Sequence, residues 1–142
     1  MAGDPFDLER FVDAQEPEYD RALAELANGR KVSHWMWYVL PQLRGLGASA
    51  MATRYGIASL AEARAYLAHP VLGPRLIACV DAMNALPGSN AEQVLGGIDA
   101  AKFRSCLTLF LAADPANTKL RDALDKFYAG RRDERTLALL HA

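Results

Sequence analysis

The sequence predicts an all-α fold, a single helical domain spanning residues 1–142 with about seven to nine helices. Three observations support this prediction: helix-capping residues and prolines recur along the chain, apolar residues recur at helical spacing, and no useful length alternates as a β-strand does. About half of the residues are apolar (51%) and the formal net charge is −1, which excludes intrinsic disorder. A chain of 142 residues can bury a core without a disulfide or a metal ion.

The helices of the first half follow from their caps, in chain order. Asp4 and Pro5 are typical of an N-cap and a first helical residue, and Pro17 opens a second helix. Ser33 is placed to cap a helix over residues 34–40, which must stop before the next proline. We prefer this helix, although the aromatic and β-branched residues of 32–40 also fit a buried strand.

In the second half of the chain, the same kinds of residue mark the beginnings and ends of helices. A loop with two glycines, residues 42–49, precedes a short helix that runs from Met51 to Tyr55 and is closed by Gly56. Pro74 marks the start of a long helix. Short polar side chains open the remaining helices; they are Ser59, Asn90, Asp99, Asn117 and Asp133.

Charge is distributed unevenly along the chain. Residues 1–28 carry eight carboxylates against two arginines, whereas residues 29–54 carry four basic residues and no carboxylate. The two segments are either surfaces that attract each other, or the cationic segment belongs to a pocket for an anionic ligand. Nucleic-acid binding is disfavoured because the chain shows no overall basic stripe.

The sequence favours a soluble, cytoplasmic protein without a membrane partner. In the aromatic region, the longest stretch free of Asp, Glu, Lys and Arg covers residues 32–43, well short of the roughly 20 residues that cross a bilayer. The N-terminal region carries acidic residues in place of a basic stretch followed by an apolar one, so no secretory signal is expected. The oligomeric state stays open.

Metal and cofactor sites have no support in the sequence. Cys79 and Cys106 lie in apolar helical patterns, where a free cysteine packs as a small hydrophobe. The three histidines never stand four residues apart or beside a cysteine pair. The glycine spacing matches neither a Walker loop nor a dinucleotide fingerprint. We therefore expect no metal and no cofactor.

The aromatic segment around Trp35 and Trp37 is the first candidate for a binding site. It also contains Lys31, His34 and Gln42, and polar groups with aromatic walls suit a small ligand. On a helix the two indoles point about 160° apart, so one can anchor the core while the other faces a cleft. Core packing of the whole cluster is the alternative. His34 is the candidate catalytic residue, because histidine titrates near neutral pH.

Two further regions supply groups that favour an anion. The loop from Arg44 to Ser49 contains two glycines and precedes a helix N-terminus, where backbone N–H groups turn toward negative charge. On a later helix, Asp99, Lys102 and Ser105 recur every three residues. If these regions meet the aromatic segment, their cationic side chains converge on one anion. A plain turn and a surface ion pair are the alternatives.

Several motifs carry a resemblance that covers about residues 6 to 140. They are FVDAQ at 11–15, KVSHWMWYVLPQ at 31–42, GLGAS at 45–49, YGI at 55–57, YLAHPVLGPRL at 66–76 and DAAKFRSCLTLF at 99–110. On these residues the chain resembles a small all-helical bacterial family of unknown function, some members of which carry the label calpastatin in genome annotation. Leu40 departs from the phenylalanine that the family pattern has before Pro41.

The resemblance implies a single multihelical domain and no specific activity. The polar positions of its motifs become site candidates; they are Gln15, Lys31, Ser33, His34, Trp35, Gln42, Ser49, Tyr55, His69, Asp99, Lys102 and Ser105. The label itself has no support in the composition, since an inhibitor that works as a disordered repeat chain has nothing in common with this compact one.

Three hypotheses of function follow. The preferred one is a domain that binds a small anion, a nucleotide or a phosphorylated metabolite, in a cationic and aromatic pocket, with His34 transferring a proton if the domain is an enzyme. The alternative is a protein-interaction module without catalytic activity, which predicts a large exposed apolar patch. The third is a purely structural role, which predicts that the polar groups bond one another and leave no cavity.

Overall fold

Within residues 3–141, the part of the chain that this computed structural model describes, the backbone forms ten α-helices and no β-strand. The helices are α1 (Glu9–Gln15), α2 (Tyr19–Ala27), α3 (Met36–Val39), α4 (Ala50–Tyr55), α5 (Leu60–Ala68), α6 (Leu72–Asn84), α7 (Ala91–Leu95), α8 (Gly97–Ala113), α9 (Thr118–Tyr128) and α10 (Glu134–Leu140). The all-α prediction is confirmed. The number exceeds the expected seven to nine because α3, α4 and α7 are only four, six and five residues long.

Helix α8 is the centre of the core because residues 105–111 are buried on every side of the helix. Nine of its 17 residues are buried, and Phe103, Leu107 and Phe110 have no exposed surface. It packs against α5, α7, α9 and α10, while α6 packs against α2, α5 and α9. Helix α3 packs against α1 and α4. One hydrophobic cluster therefore connects the helices.

Four of the five caps expected for the later helices are confirmed. Each accepts a hydrogen bond from a backbone N–H two or three residues ahead; they are Ser59, Asn90, Asn117 and Asp133. The expectation for Asp99 is wrong, because α8 begins at Gly97 and its N-cap is Gly96 with φ of 85°. Glycine adopts this left-handed conformation without a steric penalty, so the helix starts three residues earlier than expected and Asp99 falls in its first turn.

The first helix, by contrast, starts later than expected. The carboxylate of Asp4 accepts hydrogen bonds from the backbone N–H groups of Leu8 (2.8 Å) and Glu9 (2.9 Å), but the N-cap of α1 is Leu8 and not Asp4. Helix α1 nevertheless begins only at Glu9, because a turn fills the intervening residues. The bonds from Glu9 and Leu8 lower the pKa of Asp4, since they favour the charged carboxylate.

The helix expected over residues 34–40 is reduced to the four residues of α3. Ser33 does not cap it, because both the backbone N–H and the hydroxyl of Ser33 donate to the carboxylate of Glu25 on α2. These bonds hold the chain before α3 in a non-helical conformation. The strand alternative is wrong as well, since residues 32–40 contain no strand.

No helix in the described range combines the length and the apolar composition that crossing a membrane requires. The two cysteines lie in the core, on α6 and α8, and both are free and buried. Burial raises the pKa of Cys79 to about 12 and also raises that of Cys106. The thiols therefore stay protonated and pack as apolar groups.

Candidate functional site

A cavity of about 360 Å³ lies between α3 and the junction of α7 with α8. Five of the site residues expected from the sequence line it; they are Lys31, His34, Trp37, Asp99 and Lys102. Met36, Leu95 and Ile98 supply apolar walls, and Gly96 and Gly97 expose backbone there. We call this space the α3–α8 cavity. It joins two stretches of chain, residues 31–37 and 95–102, that are far apart in the sequence, as the preferred hypothesis expects.

Lys31 lines this cavity, but its ammonium group is already paired with other residues. Its ammonium Nζ donates to the backbone oxygen of Ser33 at 2.6 Å and lies 2.8 Å from Oδ2 of Asp99. The same ammonium lies 4.9 Å from the centroid of the Trp35 ring. The Lys31 side chain is only 6% exposed. A charge this buried needs such partners, so Asp99 neutralises Lys31 and ties α8 to the loop before α3.

Lys102 keeps more of its charge available. Its Nζ lies 3.9 Å from Oδ1 of Asp99, a long ion pair, and 5.3 Å from the centroid of the Trp37 ring. Its side chain remains 24% exposed. The first turn of α8 has no side-chain cap, and its backbone N–H groups add partial positive charge. With two ammonium groups and one carboxylate, the cavity carries one net positive charge.

The two tryptophans divide their roles as the sequence predicts. Trp35 is fully buried and its indole Nε1–H donates to Oε1 of Glu25 at 3.0 Å. Trp37 is only half-buried, and its ring lines the α3–α8 cavity. One indole therefore anchors the core while the other presents an aromatic surface to the cavity.

Glu25 organises the approach to the cavity, and the sequence analysis missed it. Its Oε1 accepts from the backbone N–H groups of Val32 (2.8 Å) and Ser33 (2.9 Å) and from the indole of Trp35, while its Oε2 accepts from the Ser33 hydroxyl at 2.7 Å. Burial alone raises the pKa of a carboxyl, but these four bonds outweigh it and lower the pKa of Glu25 to about 2. The only signal in the sequence is indirect: a buried indole N–H needs an acceptor.

His34 is exposed at the rim of the α3–α8 cavity. Its backbone oxygen accepts from the hydroxyl of Tyr38 at 3.4 Å, which holds the loop against α3. His34 therefore borders the same cavity as Lys102 and Trp37.

Gln42 and Tyr55 line a crevice that shares Met36, Trp37 and Lys102 with the α3–α8 cavity. Its volume is about 10 Å³, which leaves room for no more than about one water molecule. Tyr55 packs its ring against Tyr38 at 5.3 Å between centroids. These two candidates therefore border the site without opening onto its main volume.

Gln15 and Ser105 lie elsewhere and are already hydrogen-bonded. The buried amide of Gln15 donates to the backbone oxygen of Tyr38 at 2.7 Å and to the hydroxyl of Tyr66 at 3.0 Å. The hydroxyl of Ser105 donates to the carboxylate of Asp133 at 3.0 Å, next to α10. Their contacts are those expected of the purely structural hypothesis.

Three more candidates are separate from the cavity. Ser49 caps α4 by accepting from the N–H of Ala52 at 3.1 Å. The Nδ1 atom of His69 accepts from the backbone N–H groups of Val71 and Leu72, at the start of α6. Arg44 lines two other clefts. The expected convergence therefore includes Lys31, His34 and Lys102 but not Arg44.

Among residues 3–141, no group of three or more His, Cys, Asp or Glu side chains is placed to share a metal ion. The charged groups of the α3–α8 cavity are two lysines and one aspartate. This donor set suits an anion that accepts hydrogen bonds more than a hard cation, which takes several oxygen ligands.

Comparison with known proteins gives a consistent result. No significant match is found among curated proteins. The fold closely resembles the crystal structure of the conserved hypothetical protein Rv1873 from Mycobacterium tuberculosis, with a TM-score of 0.96 and 52% sequence identity over 98% of this chain and 99% of that chain. A family model described as a protein of unknown function, DUF1810, matches residues 5–140. The resemblance carried by the sequence motifs is thereby confirmed, and the chain belongs to the DUF1810 family of proteins of unknown function.

Proposed function

We propose that the α3–α8 cavity binds a small anionic ligand with a planar ring, a nucleotide or a phosphorylated metabolite. One observation carries the proposal: the partly exposed ammonium of Lys102 lies 5.3 Å from the Trp37 ring, beside the uncapped first turn of α8. Positive charge, free backbone donors and an aromatic face thus meet in one concave space.

Each wall has a separate role in this proposal. Lys102 and the backbone N–H groups after Gly96 hold the anionic group, and the two glycines let it approach the backbone closely. Trp37 contacts the ring of the ligand. The Lys31–Asp99 pair keeps the wall rigid at an N–O distance of 2.8 Å. His34 is the candidate for proton transfer, should the domain act on what it binds.

Thermal unfolding with three probes tests the proposal: AMP, ribose 5-phosphate, which lacks the base, and inorganic phosphate. A ligand at 100 times its Kd adds about 2.7 kcal/mol of stability, which raises Tm by roughly 10 °C for a chain of this size. We expect AMP to raise Tm most, ribose 5-phosphate less and inorganic phosphate least, because only AMP has a base that can contact the aromatic face.

Matched variants locate the binding site. Lys102→Gln removes the charge at the cavity and should abolish the shift caused by AMP. Lys119→Gln is the control, because Lys119 forms an exposed ion pair with Asp81 at 2.7 Å and does not line the cavity. The proposal fails if none of the probes raises Tm, or if Lys102→Gln responds to AMP as the parent chain does.

A protein-interaction surface is the second candidate, and two exposed side chains favour it. Val32 is 70% exposed and Ile98, at the rim of the cavity, is 78% exposed. Isolated exposed apolar residues are common, whereas a contiguous patch marks an interface. If this surface pairs copies of the chain, sedimentation velocity should show association that increases with protein concentration. The variant Ile98→Asp should abolish this association. A parent chain that stays monomeric at all concentrations excludes such pairing.

A further inference from the structure

We infer that a second site, separate from the α3–α8 cavity, binds an oxyanion that carries a short aliphatic chain, such as an alkyl phosphate or a carboxylate. It lies in a cleft of about 500 Å³ where the turn before α1 meets α4 and the start of α5. Its charged lining consists of Asp7, Arg10, Arg44, Arg54 and Glu62. We call it the Arg44 cleft.

Arg10 and Glu62 form a neutral and rigid floor. Nη2 of Arg10 lies 2.7 Å from Oε2 of Glu62, and the two side chains are only 9% and 3% exposed. The remaining donors of Arg10 are used as well, on the backbone oxygens of Phe6, Asp7, Arg54 and Gly56. This guanidinium therefore has no donor to offer a ligand, and its charge is cancelled.

Arg44 and Arg54 supply the available charge. Both are exposed; Nε of Arg44 donates to the backbone oxygen of Thr53 at 3.1 Å, and the guanidinium of Arg54 lies 5.5 Å from the Tyr55 ring centroid. Within the described range, the terminal nitrogens of these two arginines meet no hydrogen-bond or ion-pair partner. With the exposed carboxylate of Asp7 as the opposing charge, the cleft keeps one net positive charge. Planar guanidinium groups match the oxygens of phosphate and carboxylate.

The backbone that presents Arg44 is held by an unusual contact in this helical fold. Residues Leu43 and Ile57 form an isolated parallel β-bridge, in which the N–H of Arg44 donates to the oxygen of Ile57 at 2.8 Å. Gly56 makes the approach possible, because a Cβ atom at that position would lie 2.7 Å from both Cα and Cβ of Arg44. Arg44 is therefore positioned at its base by main-chain contacts.

A second cleft, with four leucines in its lining, adjoins the cationic one. It has a volume of about 250 Å³, shares Arg44 and Ala58 with the Arg44 cleft, and is otherwise lined by Leu43, Ser59, Leu60, Leu139 and Leu140. Leu139 is 42% exposed, so apolar surface remains for a ligand to cover. Cationic and apolar surfaces that meet at Arg44 predict a ligand with an anionic end and an aliphatic chain.

Titration followed by two-dimensional ¹H–¹⁵N NMR tests the inference with four probes: hexyl phosphate, hexanoate, inorganic phosphate and hexylamine. We expect the amides of Arg44, Ile57 and Leu139 to shift with both hexyl anions. The hexyl chain should tighten binding roughly tenfold or more over inorganic phosphate, since each buried methylene adds to the affinity. Hexylamine has the chain but the opposite charge and should not bind.

Variants separate the two halves of the site. The double variant Arg44→Gln with Arg54→Gln should weaken hexyl phosphate at least tenfold, and Leu139→Ser should weaken hexyl phosphate but not inorganic phosphate. Arg64→Gln on α5, also exposed, is the control. Lys102→Gln should leave hexyl phosphate binding unchanged, so failure of this site and failure of the α3–α8 cavity are distinguishable. Equal binding of hexylamine, or unchanged affinity in the double arginine variant, would overturn the inference.

Discussion

Replacing Glu25 by Gln tests how the approach to the α3–α8 cavity is held. The amide keeps the shape of the side chain: its oxygen can still accept from Val32, Ser33 and Trp35, and its NH₂ group can donate to the Ser33 hydroxyl. What is lost is the negative charge. Hydrogen bonds to a charged group contribute about 1.5–3 kcal/mol and neutral ones about 0.5–1.5 kcal/mol. Because bonds on one carboxylate are not additive, we expect a loss of about 2 kcal/mol at pH 7.

The pH dependence of that loss has a defined sign. The pKa of Glu25 falls from an ordinary value of 4.5 to about 2 on folding. A lowered pKa stabilises the fold fully above the unfolded value and progressively less as pH falls toward the folded value. The difference between the parent chain and Glu25→Gln should therefore be constant from pH 6 to 8 and shrink between about pH 4.5 and 2.

Urea unfolding followed by tryptophan fluorescence measures both effects, at pH 7 and at pH 3. Glu18→Gln is the matched control, because Glu18 pairs with a largely exposed Arg21 at 3.3 Å and such a pair contributes less than about 1 kcal/mol. The reasoning is refuted if Glu25→Gln costs no more than the control at pH 7, or if its cost is the same at pH 3.

Two further predictions concern the core. Gly73→Ala should destabilise the chain by about 2 kcal/mol or more in urea unfolding, because the new Cβ would lie 2.2 Å from the backbone oxygen of Leu67. Gly88→Ala is the control: its Cβ would meet nothing within 4 Å, so it should change stability by less than about 0.5 kcal/mol. Equal effects of the two substitutions would contradict the packing described here. Cys79 and Cys106 should resist iodoacetamide at pH 8 in the folded chain and react in urea, because burial raises both pKa values; rapid labelling of the native chain would show that the thiols are accessible.

The helices could be predicted because their signals are local. A cap such as Asn117 or Asp133 bonds to N–H groups within three residues of itself, so its effect is readable from neighbouring positions. Asp99 misled the prediction because a glycine at positive φ starts α8 three residues earlier. Ser33 misled it because its partner, Glu25, lies across a turn on another helix.

The candidate site was predictable only in part. The sequence places charge and indole together near Trp37 and Lys102, and the fold brings these two stretches to one cavity. Arg44 was expected to join them, but the β-bridge to Ile57 directs it to another cleft. Such a bridge depends on a single close approach at Gly56, which leaves no periodic pattern in the sequence.

The indole resonances of the two tryptophans test the central claim most directly. In a ¹H–¹⁵N NMR titration with AMP, the Nε1–H signal of Trp37, whose ring lines the α3–α8 cavity, should shift and saturate. The signal of Trp35, which is buried and donates to Glu25, should stay in place. If the Trp37 signal remains unmoved at saturating AMP, or if only Trp35 responds, the cavity does not bind this ligand as described.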